Sequence, residues 1–538
     1  MLISLETAES IAESLISRVE SSKSVVSLTP WQAAEAARIH ATLTDFGAMA
    51  FFTYIRSRSA SKTLYIGPPE VLQRELTPDQ VRIAESLDDT LEKLSSYLKK
   101  APLVLVERRM GQNSEFSPLC RLYVSVENRA NVRLAHMFST LMFEPEGATG
   151  PELTLIDVPE WPETQILVFP EQRLTLVLGS DYFGEVKKGF LRMGMWEAKK
   201  RGMLGLHAGA KLVRVRRDGE LRRYLVILFG LSGTGKTTHT CHTHFLDREG
   251  ESVEMIQDDV IFLRMDGSFL GTENAFFVKT EGLNPDVLPQ LYDAVMKPNV
   301  IFENVAVDWR GRVHLEDYSL TSNGRAIVPR RNLGEHASKH IDILDPSELD
   351  GIAVIFITRR FTVVPIAARL TPEQAAAAFM LGESVITSAA DPKRAGQSVR
   401  EVGTNPFIIG DPAYEGNWMY EFFKRHEDAV SVYVINTGGV GELRRGGRVL
   451  KPVLRVQIPE MARIIAGILR GEVRWRRDPL LEVDVAEYVP GVNLSKFNPA
   501  RHYDWPTLYK LVSELKAERR EWLSKFPGLR REVLEARY

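Results

Sequence analysis

The apolar run Tyr224–Phe229 leads straight into Gly230-Leu231-Ser232-Gly233-Thr234-Gly235-Lys236-Thr237-Thr238. A continuous apolar run of this length suits a strand covered on both faces, as in parallel α/β sheets. The residues after it fit G-x-x-x-x-G-K-[ST] in full. In that pattern the glycines let successive backbone N–H groups turn inward on phosphate oxygens, and a helix starting at the lysine adds its positive end. Lys236 then reaches the terminal phosphates, and the Thr237 hydroxyl can ligate a bridging magnesium. The bland alternative is a glycine-rich turn without a ligand. The strand before and the helix after argue against it. The pair predicts an α/β nucleotide-binding unit and a nucleotide-dependent phosphotransfer enzyme.

At 538 residues the chain exceeds one ordinary core, so two or three domains are expected. Lysine plus arginine total 68 against 70 acids, a net charge of -2. Such balance gives no broad electrostatic case for nucleic acid or an anionic membrane as partner, although a local basic cleft stays open. Oligomeric state is not legible. Cysteine is confined to Cys120 and Cys241, with no spacing that suggests a disulfide framework or a cysteine metal site. Near the N-terminus Glu6, Glu9 and Glu13 sit among apolar residues at helical spacing, the pattern of an amphipathic surface helix rather than a signal peptide. No stretch has the apolar length needed to cross a bilayer. A cytoplasmic protein is expected.

Along the chain, residues up to roughly 100 read as helices with a loop carrying Arg56-Ser57-Arg58-Ser59 and Lys62. Short apolar runs predict strands at Leu103–Val106, Leu122–Val126, Leu153–Ile156 and Gln165–Phe169. A helix is predicted at Lys187–Arg201, ended by Gly202. Further buried strands are predicted at Glu254–Ile256, Val260–Leu263, Ile352–Thr358 and Ser431–Ile435. A last helix begins near Asp504, with Trp505, Leu508, Leu511 and Leu515 on one stripe. The main boundary is placed near 220, giving an N-terminal substrate-binding domain (1–220) of mixed structure and a nucleotide-binding domain (221–538). The active site would lie in the cleft between them.

Downstream of the glycine loop, Asp258-Asp259 stands near a predicted strand end. Adjacent acids there suit a magnesium-side role, and an ordinary turn is the alternative. Upstream, Tyr182-Phe183-Gly184-Glu185-Val186-Lys187-Lys188-Gly189 is followed by His207 in Gly205-Leu206-His207-Ala208-Gly209. By spacing alone, paired lysines read as a solvated face and a lone histidine as structural.

The order of these blocks resembles the ATP-dependent phosphoenolpyruvate carboxykinase family, from about Arg58 to the C-terminus. YFGEVKKG is similar to its substrate and metal block, and LHAGA to the block holding its metal-binding histidine. ENAFFVKT (Glu273–Thr280), IFENV (Ile301–Val305), SNGRAIVP (Ser322–Pro329), INTGGVG (Ile435–Gly441) and RVQIPEMARII (Arg455–Ile465) follow in order. The resemblance implies manganese held by Lys188, His207 and Asp259, with Lys188 acting as the neutral amine. It also implies magnesium at Thr237, and Arg58, Tyr182 and Lys187 on the carboxylates of oxaloacetate. Ser232 would lie close to the transferring group, Arg325 would neutralise the γ-phosphate, and Lys279 and Arg455 would contact the nucleotide. Lys236, Thr237 and Asp258 keep the roles argued above.

There are departures. Arg58-Ser59-Ala60-Ser61-Lys62-Thr63-Leu64-Tyr65 is one residue longer than the family block, which makes Arg56 a rival to Arg58. Asn274-Ala275 replaces a Gly-Gly, and Asn323-Gly324-Arg325 replaces Asn-Thr-Arg. The acid-rich lid is not recognisable in Thr387–Pro406, which offers Lys393, Arg394 and Arg400 around Gly396 and Gly403 and still reads as a mobile loop.

The reaction implied is oxaloacetate plus ATP to phosphoenolpyruvate, ADP and carbon dioxide, a gluconeogenic step. Two alternatives stand beside it. One is a related phosphotransferase with another phosphate donor or carboxylate acceptor. The other is a non-catalytic nucleotide-binding regulator.

Overall fold

The computed structural model describes residues 5–72, 75–231, 233–385, 397–445 and 448–536. Ser232, Lys393, Arg394 and Gly396 lie outside the described residues. The apolar run forms the end of the strand Glu220–Gly230. Leu225, Ile227 and Phe229 enter one apolar cluster, while Val226 and Leu228 enter another on the opposite face. Each such buried side chain is worth about 1.5–3 kcal/mol, so covering both faces fixes this strand at the centre of its sheet.

That sheet has ten strands and is mixed. On one side Glu220–Gly230 runs parallel to Gly351–Thr358, with Gly230 opposite Ile357, and the parallel order continues to Val430–Asn436. On the other side its partner is the antiparallel strand Leu204–Arg217. The expectation of a parallel environment therefore holds on one edge only. The reason is local: Leu204–Arg217 and Glu220–Gly230 form a hairpin closed by Asp218 and Gly219, both at positive φ. The predicted boundary at 220 falls in this hairpin, so the two strands form one unit across it.

A second sheet of seven strands includes Leu103–Arg109, Leu119–Ser125, Glu152–Val158 and Gln165–Phe169, where strands are predicted. A third, of five strands, runs Ala275–Lys279, Arg325–Pro329, Ile301–Glu303, Met49–Phe51 and Thr42–Leu43, and it too joins residues from both sides of 220. The chain is thus mixed α/β with several mixed sheets.

The predicted helix at Lys187–Arg201 spans Phe183–Lys200 and begins a turn early. The Phe183 N–H donates to Glu303 Oε1 at 2.8 Å, which anchors that end on the five-stranded sheet. Phe183, Val186 and Phe190 share a cluster with Phe262, Ile327 and Leu155, one from each sheet, so the helix ties all three sheets together. The last helix, Trp505–Leu523, is capped by Asp504 as expected, but its first residue Trp505 stays 64% exposed. Among the described residues no helix is long and apolar enough to cross a membrane.

The segment read as a mobile loop over 387–406 is, from Ser398 on, part of the packed structure. Ser398–Arg400 pairs with Glu383–Val385, and the turn Val402–Thr404 is buried. Arg400 is not a free cation over phosphates: its guanidinium lies 2.9 Å from Glu518 and 3.5 Å from Glu383. Burial would raise the Glu383 carboxyl, but Arg519, Arg360 and Arg400 outweigh it and hold it at about 2. Its stabilising charge is therefore fully present above the ordinary 4.5 and is lost as pH falls toward about 2. Glu383→Gln is expected to cost about 3 kcal/mol at neutral pH in urea denaturation. The gap to the wild type should close as pH falls from 4.5 to about 2. A gap that ignores pH would count against the charge pairing.

Candidate active site

The glycine loop leaves the C-terminal end of Glu220–Gly230 and enters the short helix Lys236–Cys241. Gly233 and Gly235 have φ of +80° and +103°, which side-chain-bearing residues rarely adopt. The Thr234 hydroxyl donates to Leu231 O at 2.7 Å, and Thr437 Oγ1 donates to Thr234 O at 2.6 Å, pinning the loop to the neighbouring strand connection. The helix that follows is only six residues long, so its dipole is weaker than the sequence pattern implied.

Beside the loop, three further elements bring charged groups onto one carboxylate. Asp259 occupies the turn between Ser252–Gln257 and Val260–Leu263. His207 pairs across the ladder with Val260, which sets its ring against Asp259: Nε2 lies 3.0 Å from Oδ1. Lys188, from the helix Phe183–Lys200, donates to Asp259 Oδ2. Lys236 sits 3.6 Å from Asp259 Oδ1 and 3.3 Å from His207 Nε2. His207 Nδ1 lies 2.6 Å from the Thr404 carbonyl. A proton on Nδ1 makes that bond and leaves the Nε2 lone pair facing the cluster.

The electrostatics follow from burial and crowding. Burial, with Lys236 and Lys188 adding, lowers His207 to about 3, so its imidazole is neutral. Burial lowers Lys188 to about 7, opposed by Asp259 and reinforced by Lys187 and Lys236. Burial would raise Asp259, but the charges of Lys187, Lys188 and Lys236 prevail and hold it well below the usual carboxylate range. Asp258 goes the other way, raised by burial, and its Oδ1 is buried without a partner.

Lys187 is placed differently from the sequence expectation. It is fully buried, 2.9 Å from Asp259 Oδ2 and 2.8 Å from Glu273 Oε1. Successive helix positions point about 100° apart, so Lys188 faces the cavity while Lys187 lies beneath it. Its ammonium is committed to two carboxylates and is not part of the cavity lining.

The cavity above this cluster has a volume of about 920 Å³. Arg58, Tyr182, Lys188, His207, Lys236, Thr237, Thr238, Asp258, Asp259, Lys279, Arg325 and Arg455 all line it, together with Gly230, Leu231, Gly233 and Gly235. Arg58 stacks on Phe407, 4.3 Å from the ring centroid. Arg56 instead donates to the Leu320 carbonyl and is not part of the lining. Asn323 links the far wall, donating to Tyr182 Oη at 3.0 Å and accepting from Arg325 Nη2 at 2.8 Å. Lys279 is paired with Glu281, and Arg455 lies over Phe361 at 4.5 Å.

Phe407, Thr404, Glu273 and Arg359 are the residues sequence reasoning missed. Phe407 underlies Arg58, Lys188 and His207 at once. Nothing in its sequence neighbourhood marks it, since its role comes from tertiary packing.

Among the described residues no group of three or more His, Cys, Asp and Glu side chains forms a metal centre. Here only His207 and Asp259 are of those types, and the third donor is the Lys188 amine. A lysine poised at about 7 supplies a neutral amine without large cost. Imidazole nitrogen, amine nitrogen and carboxylate oxygen are a donor set suited to a divalent transition metal. The buried, unpartnered Asp258 Oδ1, in the same cavity lining as Thr237, suits a harder cation and its waters.

The two lysines should separate in stability. Lys187→Met leaves Asp259 and Glu273 without their buried partner and is expected to cost about 3–5 kcal/mol in urea denaturation. Lys188→Met removes an amine that burial, Lys187 and Lys236 already lower to about 7, so it should cost clearly less metal-free stability than Lys187→Met. Equal losses would overturn this division of roles.

The chain was also compared with known proteins. A family model described as phosphoenolpyruvate carboxykinase, of the ATP type, matches residues 23–495. The phosphoenolpyruvate carboxykinase (ATP) of Aeropyrum pernix is 36% identical over 464 residues, 85% of this chain and 88% of the relative. The protein of that name from Fusobacterium nucleatum is 24% identical over 85% of each chain. The one from Thermus thermophilus is 30% identical over 64% of this chain and 61% of its own. The match covers every element that builds the cavity floor, and the chain belongs to the ATP-dependent phosphoenolpyruvate carboxykinase family.

Proposed function

We propose that this chain catalyses the conversion of oxaloacetate and ATP to phosphoenolpyruvate, ADP and carbon dioxide. The observation that carries the reading is the convergence of Lys188, His207, Lys236 and Asp259 at the floor of a cavity whose walls also present Arg58, Tyr182 and Arg325. A plain nucleotide binder has no use for an amine–imidazole–carboxylate set facing basic side chains on the opposite wall.

In this reading Lys188, His207 and Asp259 hold Mn²⁺, while Thr237, with Asp258 nearby, holds Mg²⁺. When bound, such cations neutralise charge on the developing enolate and on the phosphates. Arg58 and Tyr182 orient the substrate carboxylates. The carbon–carbon bond to the departing carboxylate breaks, and its electron pair becomes the enolate of pyruvate. The enolate oxygen then attacks the γ-phosphorus of ATP, and the bond to the bridging oxygen of ADP breaks. Lys236 and Arg325 neutralise charge on the transferring group, a role typically worth several kcal/mol. No general base is required, because decarboxylation itself generates the nucleophile.

The glycine loop Gly230–Thr238, Ser232 included, would cradle the phosphates, with Lys279 and Arg455 toward the nucleotide. This assigns the nucleotide to the carboxyl ends of the parallel strands Glu220–Gly230 and Gly351–Thr358, the usual ligand position in such sheets. A cytoplasmic location and small-molecule partners fit the balanced charge.

The test is phosphoenolpyruvate formation from oxaloacetate with Mn²⁺ and ATP, GTP or pyrophosphate in parallel. Product with ATP is expected, and no product with any donor would overturn the function. His207→Ala should lower kcat/KM roughly 100-fold or more while leaving ATP affinity within about threefold. If that variant instead fails to fold, the histidine is structural and the metal assignment falls.

A further inference from the structure

We propose that Arg359, at the carboxyl end of the strand Gly351–Thr358, binds the phosphate chain of the nucleotide from the side opposite Lys236 and selects for donors with a long phosphate chain. The proposal rests on the nucleotide reading above.

Its basis is the contrast between two adjacent arginines. Arg360 is buried and committed: its guanidinium donates to Ser398 Oγ at 2.6 Å and lies 3.2 Å from Glu518. Arg359, pointing the other way, lines the cavity. Its one hydrogen bond among the described residues runs from Nη1 to the Gly233 carbonyl at 2.6 Å, on the glycine loop itself. A guanidinium carries five N–H donors, and the Arg359 Nε–H is buried with no partner. No carboxylate lies within ion-pair reach of it among the described residues.

A second uncompensated cation stands close by. Arg455 lies over Phe361 at 4.5 Å, lines the same wall and has no carboxylate partner among the described residues. The other cations on this side, Lys279 and Arg444, are already paired with Glu281 and Glu442. Arg359 is lowered by burial and then by Arg455, as expected for two cations held together without an anion. Arg359 is half-buried and Arg455 exposed, and the Arg359 guanidinium, its Nε–H buried without a partner, is costly there unless an anion joins it. A planar fork suits phosphate oxygens, which it can engage bidentately.

The strand register supports the placement. Gly230 pairs with Ile357, so the residue after Thr358 stands level with the start of the loop. Phosphates on the loop would then lie between Lys236 and Arg359. Each phosphate added to the nucleotide adds charge on this wall, so the contribution of Arg359 grows from AMP to ADP to ATP.

The experiment measures dissociation constants of MgATP, MgADP and AMP by calorimetry for wild type, Arg359→Gln and Arg359→Lys. Thermal melts confirm folding, and KM for oxaloacetate is measured alongside. The expected result for Arg359→Gln is a roughly 10- to 100-fold weaker MgATP, a smaller loss for MgADP, unchanged AMP and unchanged oxaloacetate KM. Arg359→Lys should recover part of the MgATP loss. Uniform weakening of all three nucleotides would show that Arg359 only holds the Gly233 carbonyl, and that outcome overturns the proposal, as does unchanged MgATP affinity. If the wild type binds no MgATP at all, the nucleotide reading fails first.

Discussion

The site depends on one buried carboxylate. Asp259 holds groups from three separate elements: Lys187 and Lys188 from a helix, His207 from a neighbouring strand and Lys236 from the glycine-loop helix. The lysine ammonium groups would not tolerate these surroundings without the anion, and the anion would be raised by burial without them. Removing Asp259 or Lys187 leaves the remaining groups with uncompensated charge in a low-dielectric interior. The cluster therefore fixes the relative position of elements that the sheets alone leave adjustable. It also places the groups at the cavity floor by the same contacts that secure them.

A second tier of interactions orients the first. The Thr404 carbonyl sets the His207 tautomer, Glu273 shares Lys187 with Asp259, and Phe407 supports Arg58 and Lys188 from below. Glu303 anchors the start of the helix that carries both lysines. These contacts come from segments far apart in sequence. The cavity is therefore a product of the whole tertiary structure rather than of one motif.

The legibility of the sequence followed the range of the forces involved. The strand before the loop, the glycine positions and the Asp504 cap were readable because they depend on residues a few positions apart. The element at Lys187–Lys188 was readable as a helix, yet which lysine faces the cavity was not, since that depends on packing against Glu273. Arg58 and Arg56 could not be ranked from spacing, and only the fold sends Arg56 to the Leu320 carbonyl. The mixed character of the central sheet escaped because an apolar run records burial on two faces and is silent on strand direction. Arg359 and Arg360 look alike in sequence and differ only in which way each faces once the strand ends.

The five-stranded sheet has a consequence for how such a chain is made. Met49–Phe51 pairs in parallel with Ile301–Glu303, so an early segment must wait for some two hundred and fifty intervening residues before its neighbour exists. Pairings of this separation form slowly, because a long loop must close before any contact offsets its entropy. During synthesis the strand Met49–Phe51 is thus held without its parallel partner, with one unpaired edge available to chaperones or to other chains. The completed pocket, whose walls draw on Arg58 and on Arg455 alike, comes into being only near the end of translation. A half-made chain has the glycine loop but not the wall that faces it.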